Sequence, residues 1–249
     1  MKTLNLLSLF AGIGGFELGL ERSGGFRTVA QCEIDPYCNK VLAKHWPEVK
    51  RYGDIRELTA ARLAADGITV DAICGGFPCQ DISNAGKCAG IEGERSGLWS
   101  EYARLVGELR PRVVFVENVS ALLGRGLGRV LGDLAALGYD AVWHCIPAGN
   151  IGAPHERDRL WIVAYLDATG FPIGPIITRV ARRQIGNNEW QVSALRAEWP
   201  SEPALGRVAD GVPGRVDRIA ALGNAVVPQI PELLGRAWLR AQLKESTDV

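Results

Sequence analysis

The sequence predicts an α/β fold in which a mostly parallel, twisted sheet carries helices on both faces. Three observations predict it. Short apolar runs alternate with helix-like segments as far as residue 166, the order that builds a layered α/β sheet. Two of those runs, Asp71 to Cys74 and Val113 to Val116, carry apolar and β-branched side chains bounded by glycine or charge, as strands buried on both faces do. A glycine-rich segment, residues 11–15, falls where the first strand gives way to the first helix.

The elements follow in order. Leu4 to Phe10 reads as the first strand and Gly15 to Arg22 as the first helix; Phe26 to Glu33 is the second strand, followed by a polar helix from Pro36 to His45. Helical periodicity covers Gly97 to Glu108 and Gly126 to Leu137, the latter stopped by Gly138, a residue suited to the left-handed turn that ends helices. Ala141 to Ile146 and Leu160 to Tyr165 read as a closing antiparallel pair. Beyond Leu166 the composition changes. Residues 167–214 are rich in Gly, Pro, Arg and Trp with weak periodicity, either a small irregular domain or a long functional insertion. Order returns at Val216 to Leu222 and in a terminal helix over Pro231 to Leu243. The chain thus divides into 1–166, 167–214 and a segment 215–249 that returns to the first part. No internal repeat is evident.

A chain of 249 residues, 47% apolar, can fill a substantial core. Lys plus Arg and Asp plus Glu balance at 28 each, so net charge leaves no footprint of a polyanion partner, although basic residues can still cluster on one face. The six cysteines, at 32, 38, 74, 79, 88 and 145, form no C-x-x-C pair and only three histidines accompany them, so no metal site is expected. Reduced thiols are the expectation for a chain of this size. Lys2 and the apolar run from Leu4 resemble a secretory leader, but Asn5 and Ser8 interrupt the run and none is expected. No apolar stretch reaches the ~20 residues that span a bilayer.

Ser8 to Phe16 joins the first strand to the first helix. Glycines there let the backbone approach a ligand and free the helix N-terminus to interact with it. A dinucleotide fingerprint would need a third glycine where Glu17 stands; a purely structural tight turn is the other alternative. Glu33 ends the second strand, and Asp54 sits where a third should end. Singly, each reads as a solvated strand-end acid. Together at one carboxyl edge they outline a nucleoside pocket, one accepting ribose hydroxyls and the other an adenine amino group.

Gly75-Gly76-Phe77-Pro78-Cys79-Gln80 follows the strand ending at Cys74, which puts Cys79 on a loop at the same edge. A cysteine is commonly a small buried hydrophobe, but here Gln80, Asp81, Ser83 and Asn84 keep the surroundings polar, and an exposed loop thiol can ionise and attack. Glu117-Asn118-Val119 follows the strand Val113 to Val116. Its carboxylate lies beside the Cys79 loop if the two strands are neighbours, or faces solvent if they are not. Arg157 and Arg159, in a stretch leading into a strand, share a face under strand alternation; they bind an oxygen or phosphate, or pair with Glu156 and Asp158.

In order, S-L-F-A-G-I-G-G-F-E-L (8–18), C-E-I-D (32–35), G-D-I (53–55), G-G-F-P-C-Q-D-I-S (75–83), E-N-V (117–119), A-P-H-E-R-D-R-L-W-I-V (153–163) and G-N-A-V-V-P (223–228) resemble the motif series of the DNA (cytosine-5) methyltransferases. The resemblance runs from residue 8 to 240 apart from 167–214, and implies a Rossmann-like S-adenosylmethionine-dependent methyltransferase fold. It implies that Cys79 is the nucleophile adding to carbon 6 of cytosine, that Glu117 holds ring nitrogen 3, that Arg159 contacts the base carbonyl oxygen and that Arg157 supports the Cys79 loop. Phe10, Ala11, Gly12, Ile13, Gly14, Gly15, Glu33, Ile34, Asp54, Ile55, Pro78, Leu98, Asn224 and Val226 match cofactor-contacting positions. Gln80, Ser83 and Arg95 match the loop that meets DNA. The chemistry needs these types. Carbon 5 of cytosine is a poor nucleophile until a thiolate adds at carbon 6, the charge then spreading over the ring needs preorganised partners, and a stacked base must first be flipped out.

The resemblance further implies S-adenosylmethionine as cofactor, double-stranded DNA as partner, no membrane and no metal, a monomer, and a cytoplasmic enzyme of bacterial or phage origin in the setting of restriction and modification. Two departures stand out. His155 occupies a position where the family often has Gln, and 167–214 is shorter than the usual target-recognition domain. Within it Arg179, Arg182 and Arg183 offer phosphate or guanine contacts, or form a solvated charge cluster. A tRNA cytosine-5 methyltransferase on the same scaffold and a non-catalytic DNA-binding relative are the alternative functions.

Overall fold

The computed structural model describes residues 2–78, 98–153, 155–166 and 215–245. In chain order these form β1 (Leu4–Leu9), α1 (Gly15–Arg22), β2 (Phe26–Cys32), α2 (Pro36–His45), β3 (Lys50–Tyr52), α3 (Ala60–Ala65), β4 (Ala72–Gly75), α4 (Leu98–Leu109), β5 (Val113–Val119), α5 (Leu122–Arg125), α6 (Leu127–Ala136), β6 (Tyr139–Pro147), β7 (Asp158–Leu166), α7 (Arg215–Asn224) and α8 (Gln229–Glu245). Single 3-10 turns cover Ile55–Glu57 and Ala148–Ile151.

Seven strands of the described residues make one sheet in the order β3-β2-β1-β4-β5-β7-β6. The first five run parallel. β7 is inserted between β5 and β6 and runs antiparallel to both, so the expected closing pair is present, with its second strand as the inner one. The apolar strands explain the burial on both faces. Leu7, Leu9, Ile73, Val114, Val116 and Ile162 point into one core beneath α3, α4 and α6. Leu4, Leu6, Cys74, Phe115, Trp161 and Val163 point into a second beneath α1 and α8. Gly19 and Gly235 let α1 and α8 approach, since a Cβ on Gly19 would lie 2.2 Å from the Pro228 carbonyl oxygen and one on Gly235 2.8 Å from Ser23 Oγ.

Three elements differ from the sequence expectation. β5 continues through Glu117 and Asn118 to Val119, because its antiparallel neighbour β7 pairs with it that far, Val119 opposite Arg159. The predicted helix from Gly126 is preceded by a short one, α5, and α6 ends at Ala136 before Gly138 at φ 81°. α7 extends to Asn224, so Gly223 and Asn224 close a helix rather than follow one. Among the described residues no helix is long and apolar enough to cross a membrane.

Glu17 is an acid in the second core. It is fully buried and receives a hydrogen bond from Gln31 Nε2 at 3.1 Å. Burial, working against hydrogen bonds that favour the anion, pushes its carboxyl from 4.5 up to about 7. The native state therefore holds a proton that the unfolded chain releases across that window, and stability falls as pH rises through it. Glu17→Gln is expected to match the parent in urea unfolding near pH 4.5 and to exceed it at pH 8, by up to about 3 kcal/mol.

Candidate functional site

The strand order reverses between β1 and β4. α1 covers one face of the sheet and α4 the other, so the carboxyl ends of the two strands open a crevice of the kind in which doubly wound sheets bind ligands. The turn after β1 and the residues that follow β2, β3, β4 and β5 lie along this carboxyl edge.

On one side lies the turn after β1. Phe10 and Gly12 adopt φ of 52° and 56°, and Gly14 φ of 90°, left-handed values that favour glycine. The turn closes with Gly14 N donating to the Ala11 carbonyl at 3.0 Å. A Cβ on Gly14 would strike the Trp46 ring at 2.3 Å, and one on Gly15 would lie 2.4 Å from the Val226 carbonyl oxygen. Gly12 faces open space, with nothing within 4 Å of where its Cβ would stand. Glu33, half-buried, accepts from Gly12 N at 2.7 Å and from Asp35 N at 2.8 Å, which ties the end of β2 to the turn and leaves each carboxylate oxygen further acceptor capacity. Ile34 beside it is 68% exposed, an apolar surface next to an acid, as a nucleoside pocket requires. Asp54 follows the end of β3, as expected, and is engaged within its own segment. It caps the 3-10 turn through Arg56 N and pairs with the Arg56 guanidinium at 2.6 Å, which holds its carboxyl below the usual range. Ile55 is buried, and Ile13, Pro78 and Leu98 are half-buried along the same edge.

On the other side lies the end of β5. Because β4 and β5 are parallel neighbours, Glu117 does stand next to the segment that follows β4. A Cβ on Gly76 would lie 2.7 Å from Glu117 Oε2, so any side chain there would force the carboxylate to shift. Glu117 is 8% exposed, not a solvent-facing strand end. Arg159, offset from it by two residues in the β5–β7 register, places Nε 3.2 Å from Glu117 Oε1. Burial raises the Glu117 carboxyl above its ordinary range, while the Arg159 and Arg157 charges and the Arg159 hydrogen bond act against it. The charges of both Arg157 and Arg159 act on Glu117. Arg157 precedes β7 with φ 23°, so strand alternation does not govern it, and its Nη1 donates to the Gly223 carbonyl at 2.7 Å. Burial and the Arg159 charge lower the Arg157 pKa.

Asn118 is a contributor the sequence reading passed over. Its side chain, 3% exposed, donates from Nδ2 to the Phe77 carbonyl at 3.1 Å while Oδ1 accepts from Val119 N. The stem Gly76–Pro78 is thereby fixed to β5, and Phe77 rests on Trp99 with ring centroids 5.3 Å apart. The available signal was an amide directly after a run of buried apolar residues, where a buried polar group must find a partner. Cys79, Gln80, Ser83, Arg95, Arg179, Arg182 and Arg183 lie outside the described residues. Asn224 is exposed at the end of α7, and Val226 packs on the turn after β1 through its carbonyl.

Comparison with known proteins shows the family and the fold. Residues 4–194 match the family described as C-5 cytosine-specific DNA methylase. The type II methyltransferase M2.BsuMI of Bacillus subtilis (strain 168) is 37% identical over 171 residues, 66% of this chain and 42% of the relative. The type II methyltransferase M.Eco47II of Escherichia coli is 39% identical over 165 residues, 64% of this chain and 39% of the relative. The chain therefore spans less than half the length of these relatives. In fold, the S. pombe Dnmt2 methyltransferase superposes with a TM-score of 0.59 at 20% identity, covering 77% of this chain and 57% of that one.

Proposed function

Since the chain belongs to the C-5 cytosine-specific DNA methylase family, we propose that it transfers a methyl group to carbon 5 of cytosine in duplex DNA, with Cys79 as covalent nucleophile. One observation carries the reading most directly. A buried carboxylate, Glu117, is paired with Arg159 at 3.2 Å beside the stem of the Cys79 segment. A buried acid held partly in check by a guanidinium suits a partner that takes and returns charge at a ring nitrogen. Arg159 complements a carbonyl oxygen on the same ring. Cys79, as a thiolate, adds to carbon 6, and the electron pair displaced from the carbon 5–carbon 6 double bond makes carbon 5 nucleophilic. Once carbon 5 carries the methyl group, its proton is lost and the thiolate is expelled from carbon 6, which restores the double bond.

The opposite side of the crevice fits S-adenosylmethionine. The open turn at Gly12, the carboxylate of Glu33 with spare acceptor capacity and the exposed Ile34 suit an adenosyl group. Phe10 to Gly15, Ile55, Pro78, Leu98, Asn224 and Val226 complete the set we assign to it. Asp54 joins by giving up part of its pairing with Arg56. When bound, S-adenosylmethionine supplies an electrophilic methyl group. Residues 167–214 are assigned to target recognition; being short, they suit a short or relaxed target.

Incubating the chain with labelled S-adenosylmethionine and either random-sequence duplex DNA or tRNA tests the assignment. Label is expected in duplex DNA, at cytosines. Label in tRNA alone would replace the DNA reading by the tRNA one, and none in either would exclude methyl transfer to both.

A further inference from the structure

We propose that Arg157 is a positioning residue for the cofactor, holding the strap 223–228 against the glycine turn although it belongs to the base-binding side of the crevice. The inference rests on the cofactor assignment above. A continuous set of contacts carries it. The Arg157 guanidinium donates to the Gly223 carbonyl at 2.7 Å, across 66 residues of sequence. Three residues along the strap, the Val226 carbonyl is packed so close to Gly15 that a Cβ there would come within 2.4 Å. Two further on, the Pro228 carbonyl accepts from Glu232 N at 3.1 Å and abuts Gly19 at a distance that excludes any side chain. The strap is thus wedged on α1 at two glycines and tied at its start by Arg157.

The tie is directional. Arg157 lies in the field of Glu117, which attracts it, and of Arg159, which repels it. Its Nη1 donates to the Gly223 carbonyl. The backbone at Arg157 is in the left-handed region, φ 23°, a conformation that persists where surrounding contacts over-determine it. The Ala148 N–H, which meets the carbonyls of both Glu156 and Arg157 at 2.8 and 3.3 Å, is one such contact. Arg159, only two residues away, makes no such link: its side chain goes to Glu117 and to the Asp158 carbonyl. Cofactor affinity should therefore depend on the first arginine and not on the second.

The test is calorimetric titration of the full chain with S-adenosylmethionine, in the absence of DNA. Arg157→Met is expected to weaken binding about 10-fold, the value of a lost charged hydrogen bond. Arg157→Lys keeps the charge but not the planar fork and should recover part of the loss, whereas Arg159→Met should stay within about twofold of the parent. Unchanged affinity in Arg157→Met overturns the proposal, as does an equal loss in Arg159→Met, which would make the effect one of general charge. If Arg157→Met does not fold, Arg157→Lys decides: an affinity equal to the parent's overturns the proposal, and a measurable weakening supports it. A parent chain that does not bind S-adenosylmethionine overturns the cofactor assignment itself, whereas a parent that binds with an Arg157 variant that binds equally well overturns only the role of Arg157.

Discussion

Cys79→Ala is expected to lower methyl transfer by on the order of 10⁴-fold or more, the scale on which removal of a covalent nucleophile acts, with S-adenosylmethionine affinity within about twofold of the parent. The separation of the two effects is the point. In the proposed reaction the thiol activates the base, whereas the cofactor is assigned to the surface around Gly12, Glu33 and Ile34. The last described part of the stem that leads to Cys79 is anchored, the Phe77 carbonyl being held by Asn118 at 3.1 Å. Rates by labelled methyl transfer and affinity by calorimetry on the same preparation check the prediction. Substantial residual methylation in Cys79→Ala would remove the nucleophile from the account.

Glu117→Gln should cost about 10² to 10³-fold in rate, the range seen when one preorganised partner of a developing charge is lost. The amide keeps the shape and can still donate a hydrogen bond, but it cannot deliver a proton to a ring nitrogen. The variant should also lose a pH dependence. Burial raises the Glu117 carboxyl above its ordinary range, so the parent keeps the acid form to higher pH than an exposed glutamate would. Its rate should then fall as pH rises through that raised value, a limb that Glu117→Gln cannot show. A pH profile of kcat in the two proteins is the check. An alkaline limb of the same position in both would assign it to another group.

The main lines of the fold were legible because burial left a simple signature. Asp71 to Cys74 and Val113 to Val116 read as buried strands and are β4 and the first part of β5. What was not legible depended on partners far away in sequence. Nothing within Glu117-Asn118-Val119 says that the strand continues; β7 extends it by pairing Val119 with Arg159. The alternation rule that put Arg157 and Arg159 on one face holds only within a strand, and Arg157 stands before one with φ 23°, although both charges act on Glu117. Asp54 was readable as an acid at a strand end, but its pairing with Arg56, two residues on, is a choice of rotamer that composition does not record. Glycine needs were half visible. The turn at 11–15 announces itself, whereas the closeness of Gly76 to Glu117 Oε2 arises only once β4 and β5 lie side by side.

In the proposed mechanism a thiol reaches the edge of an extruded cytosine while Glu117 and Arg159 hold the ring. Duplex DNA with 5-fluorocytosine in place of cytosine, incubated with the chain and S-adenosylmethionine, tests this directly, because fluorine at carbon 5 cannot leave as a proton does and the adduct persists. A denaturant-resistant protein–DNA complex is expected, with peptide mapping placing the crosslink on Cys79. An active methyl transfer without such a complex, or a crosslink on another residue, would contradict it.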